Sequence, residues 1–180
     1  MTQGNGQPAA DASDATIADG NPEPLAAQVI AALAARGQTL AVAESLTGGL
    51  VAAALTSVPG SSAVFRGAIV AYATSLKTAL LGVPAQLLAA YGPVHQDVAA
   101  AMATGARTRL EATYGLATTG VAGPGSADGK SAGTVFVAVA GPARTVASRL
   151  ALTGGRPEVR AASVQAVLLL LVTALAEDIS

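Results

Sequence analysis

The chain predicts an α/β domain, a three-layer sandwich with helices packed on both faces of a mixed sheet. From Pro22 onward, short apolar runs alternate with segments of helical periodicity, the pattern of a layered α/β fold. The last two runs, residues 134–140 and 144–152, lie close enough to pair as a hairpin, which would add antiparallel strands. Apolar residues make up 52% of the 180, enough for one domain with a substantial core.

Residues 1–21 are rich in Gly, Ala, Asp and small polar residues, with Ile17 the only large aliphatic after Met1. Such a composition buries too little surface to offset its ordering entropy, so a flexible tail is expected, with the domain spanning 22–180. "PEPLAAQVIAALAARG" reads as a helix with Leu25, Val29, Ala32 and Leu33 on one face and Gly37 as its stop. "TLAVA" (39–43) is a short buried strand, followed by the helix "LVAAALTS". "PGSS" (59–62) is a turn and "GAIVAY" (67–72) a second strand. Two short helices, "TSLKTALLG" and "PAQLLAAYG", each close on glycine. Residues 95–114 keep helical periodicity, with Arg107, Arg109 and Glu111 towards solvent. "GLATTG" (115–120) is a strand running into the glycine-rich loop 121–133, and after the hairpin a helix over 157–178 closes the domain.

Composition narrows the function. A formal net charge of −1 offers no basic footprint for nucleic acid. Without cysteine there is no thiolate nucleophile, disulfide or Cys-ligated zinc, and the single histidine, His95, gives few routes to a metal site or a Ser-His-Asp triad. The N-terminus shows no secretory pattern. The apolar run "AASVQAVLLLLVTALA" is short for a membrane span and carries Ser163, Gln165 and Thr173, so a buried helix and a cytoplasmic protein are expected. An alanine-rich helical surface would suit a homo-oligomer, most commonly a symmetric dimer.

The chemistry-bearing residues gather at predicted strand ends. In "AESLTGG", Ser45 follows a strand and precedes a helix, where α/β sheets commonly hold ligands. Gly48 and Gly49 let a ligand approach the helix start, which favours an anion or a developing oxyanion; Ser45 or Thr47 acting as a plain helix cap is the alternative. A serine nucleophile needs a base. His95, alone at a predicted helix start, reads as a cap or surface residue. Only two lysines occur, Lys77 and Lys130, and Lys77 follows Tyr72 by five residues in "YATSLK", so both can face one cleft. Burial would lower a lysine towards neutrality and make it a base; a surface lysine and a core tyrosine fit the same residues. Thr118 and Thr119 end a strand, and Gly120, Gly123 and Gly125 leave N–H groups free for a phosphate or an oxyanion, though such loops also serve as turns. Arg156 and Arg160, at the start of the last helix, are candidates for a phosphate.

Taken in order, "AESLTGG", "PGSSAVFRGAIVAY", "LK" with Lys77, "LLGV", "YGPVHQDVAAAMATGAR", "TTGVAGPG" and "GTVFVAVAG" resemble the C-terminal domain of the competence/damage-inducible CinA family. The similarity covers roughly residues 24–178, as in the family's stand-alone form, a nicotinamide-nucleotide amidohydrolase. The resemblance implies hydrolysis of the carboxamide of nicotinamide mononucleotide to nicotinate mononucleotide and ammonia, with no metal or organic cofactor. It carries the nucleophile role to Ser45 and supporting roles to Tyr72, Lys77 and Thr119. On that reading Lys77, with Tyr72 as relay, moves the proton, while Thr119 and N–H groups near Gly48, Gly49 and Gly120 hold the oxyanion. Glu44 would pair with Lys77 or orient the site, Thr47 and Gly123 would line it, and Arg156 would meet the phosphate. The chain departs from the family's usual pattern at Leu46, His95 and "GGR", and in the residues after Tyr72 and Gly125. The changed loops at 74–76 and 125–132 motivate an alternative to this leading reading, a catalytically weak nucleotide- or partner-binding module.

Overall fold

The computed structural model describes residues 21–177. The expected tail therefore lies outside the described residues except for Asn21, whose Oδ1 accepts the N–H of Glu23 at 3.0 Å. Helix α1 (Glu23–Ala34) starts there and runs out before Gly37, which takes φ +60°. Strand β1 (Leu40–Glu44) and helix α2 (Leu50–Thr56) follow, then strand β2 (Phe65–Val70). Helices α3 (Thr74–Leu81), α4 (Ala85–Tyr91) and α5 (Gln96–Arg109) lead to strand β3 (Tyr114–Gly120). Strands β4 (Thr134–Ala140) and β5 (Thr145–Ala151) form the hairpin, and α6 (Arg156–Glu177) ends the described chain.

The five strands lie in the order β2-β1-β3-β4-β5. β1 pairs parallel with both β2 and β3, while β3–β4 and β4–β5 are antiparallel, so the sheet is mixed as expected. The pleat sorts side chains by size. Leu40, Val42, Leu116, Val135, Val137 and Val139 pack on one face with α1, α2 and α6. Ala41, Ala43, Ala117, Ala138 and Ala140 face the other way, against α5 and its neighbours. This two-residue period places bulk on one side and leaves the other shallow enough for a helix to approach closely.

Two boundaries differ from the sequence reading. β2 ends at Val70, two residues before the expected limit, so Tyr72 stands in the loop to α3 rather than on the strand. α5 stops at Arg109, not at 114, because Glu111 adopts φ +51° and breaks the helix before Tyr114 opens β3. Arg107, expected towards solvent, is half-buried and donates from Nε to the carbonyl of Thr113 at 3.0 Å. α6 is, among the described residues, the one helix long and apolar enough to cross a membrane. Its Val159, Val164, Val167, Leu168 and Leu171 are instead buried in the core beneath the large-residue face of the sheet.

The close fit of α5 is set by glycine. A Cβ at Gly105 would stand 2.0 Å from the carbonyl oxygen of Leu81, the last residue of α3. We predict that Gly105→Ala forces α5 away from α3 and lowers stability by about 1–3 kcal/mol, the usual range for overpacking. Urea denaturation measures it, and an unchanged midpoint would mean that the two helices do not depend on this contact.

Candidate active site

β1 and β3 are the adjacent parallel strands at which the chain turns to opposite faces of the sheet, to α2 after β1 and to α3–α5 after β2. Their carboxyl ends border a crevice, the position in which open α/β sheets bind ligands. A cleft of about 270 Å³ opens there, lined among others by Ser45, Lys77, Thr119, Tyr72, Asp128 and Arg156.

Ser45, the residue after β1, is held by its N–H to the carbonyl of Thr118 at 3.0 Å. Lys77, on the second turn of α3, is 1% exposed. Its Nζ donates to Ser45 Oγ and to the carbonyl of Ala71, each at 2.9 Å. Burial pulls Lys77 from the ordinary value of 10.5 down to about 8, and the Asp128 carboxylate acts in the opposite sense. A serine hydroxyl thus contacts an amine that loses its proton near pH 8, an arrangement that could serve as a nucleophile and its base.

The other expected site residues divide by the pleat. Glu44 and Thr118 point to the face opposite Lys77, whereas Thr119 shares the cleft. Glu44 neither pairs with Lys77 nor reaches the cleft. Fully buried, its carboxylate accepts the N–H groups of Gly49 at 2.8 Å, Val51 at 3.2 Å and Ala52 at 2.9 Å, so the protein's own anion fills the start of α2. The Gly48 N–H is also occupied, by the carbonyl of Ser45 at 3.1 Å. Neither glycine supplies a free donor. Their value is conformational, since φ is +57° and +102° in the turn that lifts Ser45 off the strand. Thr47 is buried and shares a 2.7 Å hydrogen bond with Thr118 Oγ1 beneath the turn.

Thr119 lines the cleft, but its hydroxyl donates to the carbonyl of Pro93 at 2.8 Å. Gly120 is beside it. The Tyr72 hydroxyl does not bond Lys77; at the cleft mouth, in a residue 60% exposed, it accepts from Arg156 Nη2 at 2.8 Å. Arg156 Nη1 donates to the carbonyl of Gly123 at 2.9 Å, so this arginine bridges two walls of the mouth. Arg160 is committed elsewhere, donating to the carbonyls of Leu46 at 3.0 Å and Thr47 at 2.8 Å. His95 caps α5, its Nδ1 accepting the Asp97 N–H at 3.3 Å, and stacks on Tyr91. Asp128, Leu46 and Thr74 also line the cleft; the sequence marked Leu46 and the loops 74–76 and 125–132 only as departures from the family pattern and named none of the three as a site residue. The Asp-Gly turn at 128–129 was the available signal for the first.

Glu44→Gln would turn an amide NH₂ onto backbone donors that now meet a carboxylate. We predict a loss of about 2–3 kcal/mol in unfolding free energy, in the range for a broken charge-assisted network. Thermal and urea unfolding would reveal it, and a variant as stable as the parent would remove the capping role.

A family model for the CinA C-terminal domain matches residues 22–175. A CinA-like protein from Frankia casuarinae is 52% identical over 154 residues, 86% of this chain and 36% of that protein. Another from Gloeobacter violaceus is 51% identical over 150 residues, 82% and 35% of the respective chains. The chain thus spans about a third of the length of these curated relatives. Among solved structures, a competence/damage inducible protein from Agrobacterium tumefaciens superposes with a TM-score of 0.83 at 37% identity, covering 88% of this chain and 97% of that one. A CinA superfamily protein from Enterobacter cloacae gives 0.84 at 31% identity, covering 94% and 99%. With that match running from the first residues of α1 almost to the end of α6, the chain belongs to the CinA C-terminal domain family.

Proposed function

We propose that the cleft hydrolyses the carboxamide of nicotinamide mononucleotide, releasing nicotinate mononucleotide and ammonia, with Ser45 as nucleophile and Lys77 as base. The observation that carries this reading is the 2.9 Å contact between Lys77 Nζ and Ser45 Oγ inside a buried, depressed-pKa environment. Neutral Lys77 takes the Ser45 proton as Oγ attacks the amide carbon. The tetrahedral oxyanion then collapses, and the Lys77 ammonium returns that proton to the departing amine, which leaves as ammonia. Water, deprotonated by the same amine, attacks the Ser45 ester; Lys77 returns that proton to Oγ, and the acid departs as carboxylate, losing its remaining proton to solvent.

Because Gly48, Gly49 and the Thr119 hydroxyl are already engaged, the oxyanion donor is assigned to the Leu46 N–H. It adjoins the nucleophile and has no acceptor among the described residues. Arg156 at the mouth is the candidate for the substrate phosphate, exchanging its bonds to Tyr72 and Gly123 for phosphate oxygens.

Incubation of the protein with nicotinamide mononucleotide, followed by assay of ammonia and nicotinate mononucleotide, tests the reading directly. Ser45→Ala should lower turnover by about a thousandfold or more. Nucleotide binding with no turnover above this control would favour the binding-module alternative. For the wild type, kcat/KM should fall about tenfold per pH unit below the Lys77 value of about 8 and level off above it. A profile flat from pH 6 to 9 would remove Lys77 as base.

Burial of Lys77 also has a stability consequence. The unfolded chain holds the lysine proton up to about 10.5 and the folded chain only to about 8, so stability is depressed below pH 8 and recovers as pH rises to 10.5. Lys77→Met should therefore raise the melting temperature at pH 7 while abolishing activity, and the gain should shrink by pH 10. A variant less stable than the parent at pH 7 would contradict this.

A further inference from the structure

We propose that Asp128 determines specificity in the cleft, its carboxylate selecting amides borne on a cationic ring such as a pyridinium over neutral aromatic amides. This rests on the amidase reading and names the feature of the substrate that the cleft recognises. Ala127 and Lys130 exchange backbone hydrogen bonds of 3.0 and 2.9 Å, which makes Asp128 and Gly129 a two-residue turn with φ of +50° and +70°. Asp-Gly suits such a turn on backbone grounds alone. Turn chemistry does not account for where the tip sits. It folds over the cleft, so that Ala127 and Asp128 join its lining, and a Cβ at Gly92 would come within 4.0 Å of Asp128 Cβ.

The charges around this cleft are unequal in their commitments. Lys77 is bonded to Ser45 and Ala71, and Arg156 to Tyr72 and Gly123. Asp128, by contrast, makes no hydrogen bond or ion pair among the described residues. His95 is engaged with Asp97 and Tyr91, and Glu44 lies on the other face of the sheet. With Lys77 neutral in its working form, no side-chain cation among the described residues pairs with Asp128, Lys130 and Arg156 included, so a charge on the ligand can satisfy it. A fixed positive charge on the ring would be drawn to Asp128, and a phosphate would be pushed from it towards Arg156. The two opposite charges therefore set which end of a nucleotide meets Ser45. A cationic ring also withdraws electrons from its carboxamide, so selecting the cation selects the more electrophilic carbonyl.

Asp128→Asn isolates the charge, because Asn-Gly suits the same turn. In Ser45→Ala protein at pH 9, where Lys77 has lost its proton, ligand-observed NMR can measure the Kd of 1-methylnicotinamide, a cation, and of nicotinamide, which is neutral. The expected result is a roughly tenfold preference for the cation, as one partly screened carboxylate can supply. That preference should vanish in the Ser45→Ala/Asp128→Asn double variant. Equal or undetectable binding of both probes by the single variant, or a preference that survives Asp128→Asn, would overturn the assignment. In otherwise wild-type protein, Asp128→Asn should also move the acid limb of kcat/KM to lower pH, since it removes the influence that raises Lys77. An unmoved limb counts against the assignment. Loss of the cation preference on Asp128→Asn, in a chain whose wild type releases no ammonia, would uphold Asp128 and reject the amidase reading, so the two fail separately.

Discussion

A lysine amine sealed from water is the constraint around which this domain is organised. Lys77 Nζ has two acceptors, a serine hydroxyl and the carbonyl of Ala71, and almost no solvent. An ammonium there is poorly compensated, so the fold holds the amine near the point of losing its proton. Keeping it there requires that α3 stay docked on α5, that the chain after β2 stay pinned to β1, and that Ser45 stay at the strand end. The Ala71 N–H bond to the Glu44 carbonyl at 2.8 Å provides the second of these. The glycine contact between α3 and α5 provides the first.

The sheet divides support from chemistry. On the large-residue face, Glu44, Thr47 and Thr118 consume the polar groups around the Ser45 turn with one another and with α2. On the alanine face, Lys77 and Thr119 project into the cleft, where small strand residues leave room for helices and ligand alike. Neighbouring residues in sequence thus have opposite duties, as the pleat requires.

Much of this was legible in the sequence. Among the described residues apolar periodicity located each α-helix and strand, though not the short 3-10 helix at Ser61–Ala63, and glycine marked the ends of α1, α3 and α4, because both signals are local. Ser45 and Lys77 stood out for the same reason: a hydroxyl at a strand end, and a rare lysine where arginine carries the bulk charge. The partners of Glu44 and Tyr72 were not legible. Strand alternation from Ala43 already put Glu44 on the opposite face from the small-residue side, but the three N–H groups that it accepts depend on the path of the turn. Tyr72 was misjudged because β2 ends two residues early, which turns its hydroxyl from Lys77 to Arg156. Asp128 escaped notice because a turn-forming dipeptide reads the same whether or not its tip covers a cleft.

Arg156 and Arg160 stand one helical turn apart on α6. The first spans the cleft mouth, and the second clamps the carbonyls that follow Ser45. A single rod, rooted in the core through Val164, Leu168 and Leu171, therefore governs both the doorway and the seat of the Ser45 hydroxyl. Any tilt of that rod moves the two in concert, which makes the far end of α6 a lever on the cleft, although its side chains lie outside the cleft lining.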